Sequence, residues 1–454
     1  MWGRGGRTQI TLLGKGWNHS RGSIPGESPH GCRNDLTSSL SKSGRILAST
    51  MKGDRGDDSP ENLRVDQVLV SERLGGAAHI AIRLAQYVRD RGGRSRAWTP
   101  GPGPAAAALA DVSIPWRRYR LDCMLGDSYR HGLACLHMAA GLFGPRRIVH
   151  VHTPTVYRLI RPAARLVRAR TIVHIHLEPT PQEIGWAFQD PPDLVVTCAD
   201  YLADSVRRAA PVNGRNLAII AVPNAVDLER FHPGERSAAK AFVGAHRDRP
   251  LILMMANLAP HKGQTTALHA VSLLRQRGLE VDCWFAGEER TLSGGFRSQL
   301  ERLAGSLGVS GRIRFLGFRT DGPDLLRAAD FLLLPSTHEG LPLSILEAQA
   351  TGTAVIGSPE PGIRELVDDQ VTGFIVPPHD YSGYANIILT LLRQPRLYAS
   401  VTARAYERVR QRHSWRNFEA QILHAYSQTM SPTPTALTKA SAALHQNAQT
   451  GCTS

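Results

Sequence analysis

The sequence predicts an α/β fold: two doubly wound, Rossmann-like domains that face each other across a cleft. Three observations carry that expectation. Short apolar runs alternate with helix-length amphipathic stretches along most of the 454 residues, the rhythm of parallel sheets covered on both faces. The rhythm occurs twice, over roughly 63–230 and 248–380. Between the two lies VPNAVDLERFHPGERS (222–237), which carries Pro and turn residues as a linker does.

In the first series VDQVLVSE (65–72) reads as a strand. The stretch from Ala78 to Arg89 reads as a helix with Ile82, Ala85 and Val88 on one face. RIVHVH (147–152), TIVHIH (171–176), DLVVTCA (193–199) and NLAIIAVP (216–223) are four more candidates for buried strands. The second series supplies PLILMMANL, VDCWFAGE, IRFLGF, FLLLPS and TAVIGS, separated by helix-length segments. The expected partition is a domain over 63–230, a second over 231–410, and a helix over 411–427 that packs back on the first. Residues 1–62 are dense in Gly, Ser, Arg and Asn without apolar periodicity and read as a disordered extension, with Met51 an alternative start. The tail over 428–454 reads as disordered too.

Lys and Arg number 54 against 39 Asp and Glu, a net charge of +15. That balance favours an anionic partner: nucleic acid, an acidic membrane surface or a phosphorylated small molecule. Nucleic acid is disfavoured because no aromatic-interleaved or helix-turn-helix pattern accompanies the charge. The six cysteines lie far apart with no CxxC pair, which points away from a disulfide framework and towards a reducing compartment. No apolar run approaches the roughly 18–20 residues that span a bilayer. The expectation is a soluble cytoplasmic protein, with peripheral contact to a membrane left open. YRLIRPAARLVRAR (157–170) bears on that option. Its spacing places Arg158, Arg161, Arg165 and Arg168 on one helical face, which suits an anionic leaflet as well as plain solvation.

The most informative stretch is STHEGLPLSILEAQATGTAVIGSPEPGIRELV (336–367). Pro335 ends a buried strand, a loop carries Glu339 and Gly340, and Pro342 suits the first position of a helix running Leu343 to Ala350 and stopping near Gly352. The free N–H groups of that helix end would point out of the carboxyl edge of the sheet, where an anion binds. Glu339 and Glu347 would both face the cleft. By themselves they also fit a capped helix with two solvated glutamates.

This stretch resembles the Glu-x7-Glu signature of the retaining glycosyltransferases of the GT-B fold, the group 1 or family 4 set. ANLAPHKGQTTALHAVSLL (256–274) is similar to that family's GRLxxxKG segment, VPNAVDLERF (222–231) to its PNGVD linker, and RIRFLGF (312–318) to its strand before the nucleotide base. The resemblance covers most of 222–380 in the family's order and is weaker in the first half. It implies sugar transfer from a nucleoside-diphosphate sugar, bound mainly by the second domain, to a glycan, lipid-linked or small-molecule acceptor on the first. It implies no metal and no other cofactor; the chain lacks a convincing Asp-x-Asp. Glu347 corresponds to the acid that bonds the ribose hydroxyls, and Glu339 to the acid beside the transferred sugar. The backbone N–H groups from Gly340 through Leu341 to Leu343 would hold sugar or diphosphate, and Lys262 would neutralise the leaving diphosphate. The sequence departs from the family where its Arg is Asn257, since a neutral amide does not replace a bidentate guanidinium on phosphate.

Two His-x-His pairs, His150/His152 and His174/His176, stand at strand ends, where period 2 aims both members at one place. The resemblance makes His176 the histidine that reaches the sugar across the cleft, with His174 the runner-up. Gly75 and Gly76 join the first strand to the first helix. They fit a tight turn, and the resemblance places them beside the donor phosphate and the acceptor. Three other readings are compatible with the residues: a sugar-nucleotide epimerase, a non-catalytic nucleotide-sugar scaffold, and a zinc hydrolase using the His-x-His pairs.

Overall fold

The computed structural model describes residues 63–120, 128–210, 217–289 and 294–430. The expected N-terminal extension with Met51, and the tail beyond residue 430, lie outside them. The first half runs β1 (Arg64–Val68), α1 (Gly76–Asp90), β2 (Arg94–Thr99), α2 (Pro104–Asp111), β3 (Trp116–Arg118), α3 (Ser128–Leu142), β4 (Arg147–Val151) and α4 (Pro154–Leu166). It continues with β5 (Arg170–Ile175), α5 (Pro181–Ala187), β6 (Leu194–Thr197), α6 (Asp200–Ala209) and β7 (Ile219–Ala221). These strands form one parallel sheet in the order β3-β2-β1-β4-β5-β6-β7.

The second half opens with α7 (Arg236–Val243), β8 (Leu251–Met255), α8 (Gln264–Gln276), β9 (Asp282–Ala286), α9 (Phe296–Ser306), β10 (Ile313–Gly317) and α10 (Gly322–Ala328). It continues with β11 (Phe331–Leu334), α11 (Leu343–Ala350), β12 (Ala354–Gly357), α12 (Pro361–Arg364), β13 (Phe374–Ile375), α13 (Tyr381–Arg393) and α14 (Pro395–Arg412). Its sheet is also parallel, in the order β10-β9-β8-β11-β12-β13. The α/β fold of two doubly wound sheets stands as expected. Strand order reverses between β1 and β4 in one sheet and between β8 and β11 in the other, the place where such sheets bind ligands.

Two strands of the first sheet, β2 and β3, escape the apolar pattern because their sequences, RSRAWT and WRR, are basic. For β2 that polarity has a structural reason. Asp66 in the middle of β1 is wholly buried. Its carboxylate accepts from Arg96 on β2 at 2.6 Å, from the Trp98 indole at 2.9 Å, and from Arg147 on β4. A buried carboxylate persists only when paired and hydrogen-bonded. Here three neighbouring strands share one charge cluster, and the apolar signal is weaker for it.

After α14 the chain crosses back. Helix α15 (Trp415–Met430) lays Phe418, Ile422, Ala425 and Tyr426, one face at helical spacing, onto Val65, Ile148, Ile172 and Val196 of the first sheet. The two crossings lie side by side. Val226 bridges to Ser414, its N–H donates to His413 O at 2.9 Å, and the His413 ring meets Asn224 O at 3.0 Å.

The arginine run departs from expectation. Helix α4 contains Pro162 and ends at Leu166, so Arg168 lies beyond it in a left-handed conformation (φ 53°) and off the helical face. Arg161 is held by both oxygens of Asp190 at 2.9 and 3.1 Å, Arg165 reaches the same carboxylate, and Arg158 donates to Gln189. Arg158, Arg161 and Arg165 tie α4 to the α5–β6 connection, which corrects the reading of these four arginines as one anion-facing surface.

Candidate active site

Asn257, Lys262, Glu339, Gly340 and Leu341 follow β8 and β11 at one switch point, Leu343 and Glu347 lie in α11, Gly75 and Gly76 join β1 to α1, and His176 follows β5. From the second domain, β8 leads through Asn257 to a single 3-10 turn, Pro260–Lys262, closed by Gly263 at φ +75°. A Cβ at Gly263 would stand 2.3 Å from Pro335 O, so this glycine meets both a left-handed turn and a close approach. The β8 and β11 loops are stitched by Thr337 N–H to His261 O at 2.8 Å. Lys262 thereby comes within 2.8 Å of Glu339, and both are largely buried, 16% and 7% exposed.

Helix α11 begins at Leu343 with Pro342 in the capping position, one residue earlier than expected, and turns out of the helix at Gly352 (φ +75°). Glu347 lies just beyond its first turn. Burial pushes its carboxyl up to about 7, against the opposing pull of Arg230. Arg230 also lowers His79 on α1, though burial does more. Arg230 thus brings the linker into the site. It stands within the quoted VPNAVDLERF, where only its role as a connection was read.

The first domain closes on this loop. Gly340 packs so tightly against it that a Cβ would stand 1.8 Å from His176 O. Gly362 in turn packs on Gly340, where its Cβ would fall 1.3 Å from Gly340 O. Tyr201 donates its hydroxyl to Glu339 O, and Asn224 donates to Leu341 O at 2.8 Å. The Asp200 and Tyr201 N–H groups, at the start of α6, both donate to Glu365 from the second domain. Leu341 is buried, and the Cys198 sulfur would lie 3.5 Å from a Cβ at Gly340. Gly75 caps α1, and Gly76 approaches Leu343, whose methyl would lie 3.5 Å from a Cβ there.

The histidines form one stack. His174 lies 4.1 Å from His176 and 5.3 Å from His150, ring centre to ring centre, and His150 lies 4.7 Å from His152. Burial holds His150 and His176 near a pKa of about 3 and the other two well below the ordinary value, so all four are neutral. His150, His152 and His174 each bring a ring nitrogen within 4.8 Å of the others, a group that could hold a metal. Stacked rings, tilted by 11–29° among these three, aim their nitrogens side by side rather than at one point. Coordination would require rings to turn and His152 to give up Gln67 or His176. Chemically the cleft offers a cation, two carboxylates, a helix N-terminus and a neutral imidazole, gathered from both domains.

Two facing doubly wound domains with the site between them define the GT-B class, and the solved structures agree on the fold. Anabaena Alr3699/HepE, crystallised with UDP-glucose, superposes with a TM-score of 0.71 over 81% of this chain and 100% of that one, at 20% identity. Sucrose-phosphate synthase from Thermosynechococcus elongatus gives 0.67 over 82% and 100%, at 18% identity. Residues 235–408 match the model of the family described as Glycosyl transferases group 1. Curated relatives include the D-inositol 3-phosphate glycosyltransferase of Saccharomonospora viridis, 34% identical over 255 residues, 52% of this chain and 56% of that protein. The Mycobacterium tuberculosis protein of the same name is 34% identical over 230 residues, 49% and 46%. The chain spans about half the length of these relatives.

The buried Lys262–Glu339 pair makes a prediction about truncation. Removing one partner of a buried pair strands the other charge, at a cost of about 3–5 kcal/mol. Lys262→Ala should therefore lower the melting temperature markedly, and adding Glu339→Gln to it should restore most of the loss in a thermal melt. Equal melting of wild type and Lys262→Ala would show that the pair carries no stability.

Proposed function

We propose that this chain is a glycosyltransferase that moves a sugar from a nucleoside-diphosphate sugar to a hydroxyl acceptor with retention of anomeric configuration. The observation that carries the reading is the convergence of Lys262, Glu339, the α11 N-terminus and His176 between the two switch points. The donor lies mainly on the second domain. Glu347 accepts the ribose hydroxyls, while Lys262 and the helix N-terminus offset the diphosphate charge as it develops. Lys262 then exchanges Glu339 for phosphate, which frees the Glu339 carboxylate for the sugar. With Asn257 in place of a guanidinium, the diphosphate depends the more on Lys262.

The acceptor enters from the first domain, past Gly75 and Gly76. His176, being neutral, acts by hydrogen bonding to a sugar hydroxyl rather than by charge. The leaving phosphate takes the acceptor proton, and the reaction uses no metal or organic cofactor. A phosphorylated small-molecule acceptor is favoured by the net charge of +15 and by relatives named for D-inositol 3-phosphate. A thermal-shift screen of nucleotide sugars, then turnover with phosphorylated polyols and the anomeric signal of the product, tests this. Binding without turnover on any acceptor would favour a nucleotide-sugar scaffold instead.

Glu347 adds a pH dependence. Its carboxyl stands above the ordinary value of 4.5, at about 7, so the unliganded fold is penalised as pH rises through that interval. Ribose hydroxyls require the ionised form. Donor affinity should therefore rise from pH 5 to 7 by up to about tenfold per unit and then level off. Glu347→Gln should flatten this profile in calorimetry, weaken donor binding roughly ten- to a hundredfold, and raise the unliganded melting temperature most at pH 8. An unchanged profile in the variant would remove Glu347 from the donor site.

The proposed location is the cytoplasm, with contact to an anionic leaflet made by α3 rather than by the α4 arginines. Among the described residues no helix is long and apolar enough to cross a membrane. Tyr129, Leu133 and Leu136 repeat at helical spacing along α3, Phe143 follows its end, and all four are 50–80% exposed, with Arg117 beside Gly141. An apolar helix face with flanking cations binds at a membrane interface. Leu133→Ser with Leu136→Ser should abolish flotation with acidic liposomes and leave nucleotide affinity intact; unaltered flotation would count against this face.

A further inference from the structure

Beneath the cleft histidine lies a linear chain of hydrogen bonds that the proposed transfer does not use. Gln67 on β1 and Tyr426 on α15 are wholly buried, as are His150 and nearly so His152. The Gln67 amide donates from Nε2 to the Tyr426 hydroxyl oxygen at 3.1 Å. That hydroxyl has a single proton, which it gives to His150 Nδ1 at 2.8 Å. The other end of the amide, Oε1, only accepts, so His152 presents Nε2–H to it at 2.9 Å. A neutral His152 carries one ring proton, and its Nδ1 is then a lone pair. The contact of 3.0 Å from His152 Nδ1 to His176 Nε2 must be donated by His176.

We infer that Gln67 and Tyr426 are positioning residues which, through His152, fix His176 as the Nε2–H tautomer and leave its Nδ1 as a hydrogen-bond acceptor. The catalytic use of that acceptor rests on the proposed transfer; the tautomer itself does not. The polarity of the whole chain follows from one amide, because each member has a single proton to give. Turning the Gln67 amide over would reverse every link and present Nδ1–H instead. An acceptor at this point can take the proton of a sugar hydroxyl. His174 stands outside the chain, with neither ring nitrogen paired among the described residues. It lies between His150 and His176 and keeps the plane of the latter by stacking. Tyr426 belongs to the helix that returns from the second domain, so the tautomer of a cleft residue depends on that crossing.

Selective 15N labelling of histidine in the full chain reads the tautomer directly, since protonated and bare ring nitrogens resonate far apart. In the wild type, His176, assigned by its loss in His176→Ala, should show a protonated Nε2 and a bare Nδ1. Gln67→Met keeps the volume and removes both amide contacts; Tyr426→Phe keeps the ring and removes the hydroxyl. Each should convert the single His176 pattern into a mixture, the first more completely, with the fold intact by melting. Turnover should fall about tenfold at saturating donor while the donor KM stays within about twofold. A wild-type His176 protonated on Nδ1, or a pattern unmoved by Gln67→Met, would overturn the inference. A tautomer that scrambles while turnover stays unchanged would uphold the relay and remove His176 from the reacting group, which is a failure of the functional reading alone.

Discussion

Gly340 is the point on which the rest of the site depends. Its Cα lies against the His176 carbonyl on one side, and its own carbonyl lies against Gly362 on the other. No side chain fits at either glycine without moving backbone. The three segments come from β5 of the first domain, the β11 loop and the start of α12. Their contact sets the separation of the sheets at the cleft. Tyr201, Asn224 and Glu365 then tie the same seam with hydrogen bonds to backbone. Because the seam is backbone against backbone, Lys262, Glu339 and His176 have fixed mutual positions before any ligand arrives, which is how positioning contributes to rate.

Charge is handled differently in the two sheets. Asp66 is fully answered by Arg96, Trp98 and Arg147, and its role ends with holding β1, β2 and β4 together. In the second domain the charges are answered provisionally. Lys262 and Glu339 hold each other, and Glu347 sits under burial that favours its neutral form. Each is in a state that a donor with a diphosphate and ribose hydroxyls would improve. A group kept in an unfavourable state within a cleft marks a ligand site more reliably than one that is already satisfied.

Much of this was legible in the sequence, and the reasons differ by element. Strands β8, β11 and β12 are buried on both faces, so LILMM, FLLL and AVIG read as continuous apolar runs. Helix α11 was bounded by Pro342 and Gly352, residues whose backbone preferences act locally. β2 was not legible, since its Arg96 answers an aspartate 30 residues away in sequence, and β3 has three residues, two of them arginines. β13 has two residues and gives no pattern. At the site, Glu339, Lys262 and Glu347 lie in local signatures. Tyr201, Arg230, Gln67 and Tyr426 come to the cleft only through the fold; Gln67 and Tyr426 stand 359 positions apart. Arg161 shows the converse. It lies on the expected helix, but its partner Asp190 lies on the α5–β6 connection, beyond the reach of periodicity.

The paired crossings have a mechanical consequence. A lone strand between two domains is a swivel: torsion about one backbone bond turns either body freely, and each opening would lose their mutual orientation. Here two chain segments run abreast, pinned by Val226 to Ser414 and by Asn224 to His413. Twisting such a pair would shear those contacts, whereas bending across it strains them little. Opening is thereby reduced to a single direction, like the cover of a book on its spine.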